Sequence, residues 1–264
     1  MAKFTQSRKA RPNIHYIVEG EGPFVTLVHG VGGSLSAWDG IAPMLARSFS
    51  VVRLDLRGHG RSGRIVGGCS LEDLASDVRR VWDELGIDKT HIAGFSLGGL
   101  IAQSLALSDA DRIDRLAIIS AVAGRTPEER KKVVERLALL KENGIAAVSA
   151  AAEERWFTPE FRAAKPEQVR QVMAELLAND RESYAAAYTV FATSDLADRL
   201  DGIKLPTLIV TGEHDVGSNA RMARLMHERI AGSSLAILPG LRHQVLVESP
   251  GRLADLLLAH FGGP

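Results

Sequence analysis

The chain holds one cysteine, Cys69, in 264 residues. No intramolecular disulfide can form, and a reducing, cytoplasmic setting is expected. Surplus charge is missing as well, because 32 basic and 32 acidic side chains cancel. A nucleic-acid partner is not expected, since phosphate recognition ordinarily leaves a basic excess. Long apolar runs are absent, so no membrane span is expected. The stretch MAKFTQSRKARPNIHY has no apolar core of the signal-peptide kind, and no signal peptide is expected. There is no H-x-x-x-H pair and no cysteine cluster, and His29, His59, His214 and His243 are scattered. Neither a metal nor another cofactor is expected. Cys69 has no catalytic motif around it and reads as an ordinary loop residue.

What is present is ordinary globular composition, 45% hydrophobic and 24% charged. The length suits one large α/β domain, or one domain with an insertion. Short Val/Ile/Leu-rich segments alternate with helical patterns. NIHYIVEGEGPFVTLVHG reads as two strands around a Glu/Gly/Pro turn. SVVRLDL, THIAGF, RLAIISA, TLIVTGE and SLAILPG read as further strands. None alternates cleanly, which marks strands buried on both faces of a parallel sheet. Between them, Leu71, Leu74, Val78, Val81 and Leu85 fall on one face of a helix. Ser70 is a candidate N-cap with Asp73 three residues on, and Gly86 can end that helix. Helices are also expected at 97–107, at 218–230 and at the end of the chain, where Ser249 is a candidate cap before Pro250. The expected class is α/β and doubly wound. The region 124–195 shows only helical pattern, including the alanine-rich tract 146–152, and reads as an insertion over the loop end of the sheet.

One turn carries chemistry. In HIAGFSLGGLIAQ, Gly94, Ser96 and Gly98 spell G-x-S-x-G between a strand and a helix. A serine hydroxyl is a poor nucleophile and needs a base, a group that orients the base, and donors for the oxyanion. His243 lies in LPGLRHQVLVESP, after the last strand, where active residues of such sheets collect. His91 starts a strand, at the wrong end, His227 and His260 sit on helices, and His15 lies in the early hairpin. Asp215 leaves the strand TLIVTGE and can orient the imidazole. The loop after the preceding strand, AIISAVAG, offers no carboxylate. The loop VHGVGGS brings three glycines near the site, so the backbone N–H groups of Val31 and Leu97 are the expected oxyanion donors. That loop fits no phosphate-binding motif.

HGVGGSLSAW, LDLRGHGRS, GFSLGG, TGEHD and GLRHQV, in this order, resemble the α/β-hydrolase superfamily over nearly the whole chain. The resemblance implies Ser96 as nucleophile, Asp215 as acid and His243 as base. It also implies an eight-stranded, mostly parallel sheet, with 1–123 and 196–264 as core and 124–195 as a helical cap. Within the superfamily the chain is similar to 3-oxoadipate enol-lactonases and carboxylesterase-like relatives, through RGHGRS, the Leu after the serine, and ERWFTPEFR. A serine esterase acting on an ester, lactone or related bond of a small carboxylic substrate is the expectation. Alternatives are a C–C or small-amide hydrolase of aromatic or heterocyclic catabolism, or a low-turnover ligand-binding protein of hydrolase fold. Relatives often have proline where this chain has Gly217. Trp38, Arg125, Trp156 and Phe157 are candidate pocket residues, and Arg155 and Arg162 are further cations that could meet a carboxylate. Arg57, His59 and Arg61 are expected to be structural. The partner is a small molecule, and the oligomeric state stays open, a homo-oligomer included.

Overall fold

Period-two burial builds the centre of the molecule. The computed structural model describes residues 12–262. Its strands are β1 (Tyr16–Glu19), β2 (Phe24–Val28), β3 (Ser50–Leu54), β4 (Thr90–Phe95), β5 (Ile113–Ile119), β6 (Thr207–Gly212) and β7 (Ser234–Leu238). Val25 and Leu27 of β2 face one core layer and Val28 the other. Ala117 and Ile119 of β5 likewise oppose Leu116 and Ile118. Both faces are therefore apolar, as a parallel sheet covered on two sides requires. The order is β1-β3-β2-β4-β5-β6-β7. β1 runs antiparallel to β3, and all other pairs are parallel.

The resemblance implies eight strands, and the described residues contain seven. From β1 onward, the longer connections between strands are filled by helices, which leaves no further strand there.

The helices are α1 (Ala42–Leu45), α2 (Leu71–Glu84), α3 (Leu97–Ser108), α4 (Pro127–Asn143), α5 (Ala146–Trp156), α6 (Pro159–Ala164), α7 (Pro166–Ala178), α8 (Arg181–Thr193), α9 (Ala220–Arg229), α10 (Val245–Glu248) and α11 (Pro250–Phe261). A reciprocal capping box opens α2, with Asp73 N–H donating to Ser70 Oγ at 3.1 Å and Ser70 N–H to Asp73 Oδ2 at 2.8 Å. Gly86, at φ +65°, turns the chain out of it. Ser249 does occupy the cap position of α11, but its side chain makes no capping bond. Pro250 at the first helical position has no N–H of its own, and its fixed φ suits the start of the helix.

α4 to α8 fill the connection between β5 and β6. The two ends of that connection meet. Gly124 N–H and Arg125 N–H donate to the Asp195 carboxylate at 2.8 and 3.0 Å. Between β2 and β4 the chain reverses its direction of travel across the sheet, and the crevice beyond their carboxyl ends is where α/β sheets place ligands. No helix among the described residues is long and apolar enough to cross a membrane.

Candidate active site

β4 ends at Phe95, Ser96 forms the turn, and α3 begins at Leu97. Ser96 sits at φ +56°, ψ −113°, a strained position for a residue with a side chain. Close approach of backbone on both sides allows the turn. A Cβ on Gly94 would strike the carbonyl of Gly98, and one on Gly98 would strike the carbonyls of Val28 and His29. The Ser96 N–H is spent on Ile119 O at 2.9 Å, which fixes the tip to the neighbouring strand.

Asp215 leaves β6 and is buried. Its Oδ1 accepts the N–H groups of Gly217 and Ser218 at 2.8 and 2.9 Å. Its Oδ2 accepts from His243 Nδ1 at 2.7 Å. Because the carboxylate accepts only, this bond puts the proton on Nδ1 and leaves Nε2 as the basic atom. The imidazole packs 5.0 Å from the Phe95 ring and 6.4 Å from that of Trp156. Ser96, Asp215 and His243 line one cavity.

Val31 lines the same cavity, and Leu97 is the first residue of α3. The N–H of a first helical residue has no acceptor within its helix. The glycine loop before Val31 is pinned from below. His29 Nδ1 donates to Gly30 O at 2.7 Å, and Nε2 accepts Leu56 N–H at 2.9 Å. From above, Asn179 donates to Gly32 O at 2.9 Å.

This pinning needs a neutral imidazole. Burial pushes the His29 pKa from 6.5 down to about 4, with the Gly30 bond opposing. His59, whose ring lies 5.3 Å away, is pushed down to about 3 by burial and then by His29. Below the ordinary value of 6.5, the unfolded chain therefore binds more protons than the folded one. Stability is full above that pH and declines as pH falls toward the folded values, by about 1.4 kcal/mol per pH unit for each extra proton taken up on unfolding. Urea midpoints measured between pH 7 and pH 4.5 are expected to fall, and His59→Asn to flatten the decline. An equally steep decline in the variant would show that other groups set it.

The candidate pocket residues separate. Trp156 lines the cavity. Trp38 does not; it is fully buried in the core layer of Ile41, Leu45 and Leu246, because the short helical turn that carries it packs against β2, β3 and α10. Phe157 is fully buried and stacks on Phe161 at 5.7 Å, outside the cavity lining. Arg125 is turned to a different task. Its guanidinium donates to Ser194 O and Phe191 O at 3.0 and 2.9 Å and lies 4.7 Å over the Phe191 ring. It ties together the two ends of the helical connection, and burial pushes its pKa down to about 10. Arg162 pairs with Glu153 at 3.9 Å. Cys69 packs against the core near α2, away from the cavity.

The side chains that do line the cavity include Arg136, Arg155, Tyr184, Tyr188 and Phe191. Tyr184, Tyr188 and Phe191 lie at helical spacing on α8, an aromatic stripe that could have been found by its period. Arg136 Nη1 donates to the Tyr188 hydroxyl at 3.2 Å. Neither Arg136 nor Arg155 forms an ion pair among the described residues. Burial, then the charge of Arg136, pushes the Arg155 pKa down. The one carboxylate in the cavity lining, Asp215, is already taken up by His243 Nδ1 and two backbone N–H groups, so the two guanidinium groups favour a further anion.

A family model described as serine aminopeptidase, S33, matches residues 22–250. An (E)-2-((N-methylformamido)methylene)succinate hydrolase of Acinetobacter baylyi is 28% identical over 248 residues, 93% of this chain and 92% of that protein. The 3-oxoadipate enol-lactonase 2 of the same organism is 29% identical over 228 residues, 86% and 84% of the two chains. The crystal structure of the enol-lactonase from Burkholderia xenovorans LB400 superposes with a TM-score of 0.89 at 29% identity, covering 94% of this chain and 96% of that one.

Proposed function

The chain belongs to the α/β-hydrolase superfamily, in the family described as serine aminopeptidase, S33, and from that premise we propose that it cleaves an ester or lactone of a small carboxylic substrate through an acyl-enzyme at Ser96. One observation carries the reading. A serine held in strained backbone at a strand–helix turn shares a cavity with a histidine bonded through Nδ1 to a buried aspartate at 2.7 Å.

In this mechanism His243 Nε2 takes the proton of Ser96 Oγ as the oxygen attacks the carbonyl carbon. The N–H groups of Val31 and Leu97 hold the oxyanion, each worth about 3–4 kcal/mol of transition-state stabilisation. The imidazolium, stabilised by Asp215, returns its proton to the leaving oxygen as the bond breaks. Water then gives a proton to Nε2 and attacks the acyl carbon. Ser96 leaves with that proton, and the acid is released. The segment 124–195 acts as a cap that closes the cavity over the core, of which 12–123 and 196–262 are described. Arg136 and Arg155 meet a carboxylate of the substrate. The names of the relatives, a substituted-succinate hydrolase and an enol-lactonase, favour a substrate of this kind.

Ser96→Ala is expected to abolish turnover of a short-chain p-nitrophenyl ester and labelling by a fluorophosphonate. Undiminished turnover in the variant would mean a different nucleophile. A panel of a lactone, an ester and a vinylogous diketone then identifies the bond.

A further inference from the structure

The loop that carries His243 is fastened to the helical insertion at the corner between α5 and α6. Arg242 donates through Nη1 to Phe157 O at 3.3 Å and to Glu154 O. Gln244 N–H donates to Trp156 O at 3.0 Å. These acceptors belong to the end of α5, where carbonyls lack helical partners. On the other side of the corner, Glu248 Oε1 accepts Thr158 N–H at 2.7 Å and Thr158 Oγ1 at 2.9 Å, at the N-cap of α6. Its Oε2 accepts Arg242 N–H at 3.3 Å. A cation thus meets the carboxyl end of one helix and a carboxylate the amino end of the next, as the backbone dipoles favour.

The same corner carries Arg155 and Trp156 into the cavity. From the sheet side, buried Ser120, held at φ +44°, donates to the His243 carbonyl at 3.2 Å. The histidine backbone is therefore gripped between the end of β5 and the α5–α6 corner.

We propose that Arg242 and Glu248 are positioning residues that join this corner and His243 into one mechanical unit, so that the surface in contact with substrate sets the place of the base. The inference rests on the hydrolase reading above. Loosening the corner lowers kcat rather than raising KM alone, because displacement of a base by about 1 Å can cost on the order of 10²-fold in rate.

The test uses the full chain with Glu248→Ala, Thr158→Val and Thr158→Ser. Two readouts are taken, kcat and KM on p-nitrophenyl acetate, and the low-field Nδ1 proton resonance of His243. The second is observable whether or not the protein turns over ester. Glu248→Ala is expected to lower kcat about tenfold or more with little change in KM, and to shift or broaden the resonance. Thr158→Val does the same to a smaller degree, and Thr158→Ser, which keeps both donors, restores wild-type behaviour. Should Glu248→Ala fail to fold, the Thr158 pair decides. Folded Glu248→Ala and Thr158→Val proteins with a wild-type resonance and wild-type kcat would overturn the proposal. A wild type that turns over no ester sinks the hydrolase reading instead, and the resonance still tests the coupling.

Discussion

Asp215→Asn is expected to lower kcat by about 10³–10⁴-fold while the fold stays intact. The two oxygens of Asp215 have separate partners. Oδ1 accepts Gly217 N–H and Ser218 N–H at 2.8 and 2.9 Å, and Oδ2 faces His243 Nδ1 at 2.7 Å. Asparagine keeps an oxygen for the two backbone donors and so keeps the loop. Its amide NH2 then faces Nδ1 and donates where the carboxylate accepted. The imidazole is driven to the tautomer with its proton on Nε2, which cannot take a proton from Ser96. Stabilisation of the imidazolium is lost with the charge. Glu213 offers no substitute, because it is half-exposed and its carboxylate accepts Gly240 N–H at 2.9 Å. Steady-state kinetics on a p-nitrophenyl ester, together with Tm, measure the effect. A wild-type kcat would remove Asp215 from the mechanism, and a large fall in Tm with proportionate loss of rate would make its role structural.

Patterns that depend on neighbours in sequence are the ones legible without a structure. The face of α2, its capping box at Ser70 and Asp73, and its stop at Gly86 are local events, and they appear where the spacing places them. The strands are legible for a similar reason, since burial on both faces leaves a continuous apolar run. The turn at Ser96 is local too. Residues that leave the carboxyl ends of different strands share one side of the molecule, which puts Asp215 and His243 within reach of each other. Depth and direction are not local. Trp38 and Trp156 are both tryptophans near glycine or charged turns, yet one enters the core and the other the cavity. The difference lies in the rotation of a short helical turn against elements distant in sequence. Arg125 and Arg136 both look like cations of a charged helical region. Arg125 is consumed by carbonyls at the far end of the insertion, while Arg136 is left facing the aromatic stripe of α8. Nothing in their immediate sequence separates the two fates.

Arg136 and Arg155 carry the other large expectation. They are like charges lining one cavity, neither in a direct ion pair among the described residues, and burial together with Arg136 holds the Arg155 pKa down against the opposing charge of Asp215. That arrangement costs stability in the free protein and is relieved by an anion. Two effects of opposite sign follow from a single substitution. Arg155→Met is expected to raise Tm, by about 2–4 °C for each kcal/mol of repulsion and burial cost removed. The same change is expected to lower kcat/KM for an anionic acyl ester, such as p-nitrophenyl hemisuccinate, by about 30-fold or more, because a desolvated charge contact is worth roughly 2–5 kcal/mol. Its neutral isostere, p-nitrophenyl valerate, loses no such contact and is expected to react as before or faster. Free succinate, added as a ligand, should raise the Tm of the wild type and leave the variant unmoved, since a ligand stabilises only through its affinity for the folded state. The ratio of the two kcat/KM values, wild type against variant, isolates the charge from any general disturbance of the site. Equal treatment of the two esters by the wild type would rule out an anion at this pair, and a Tm that falls in Arg155→Met would mean the guanidinium supports the fold rather than waits for substrate.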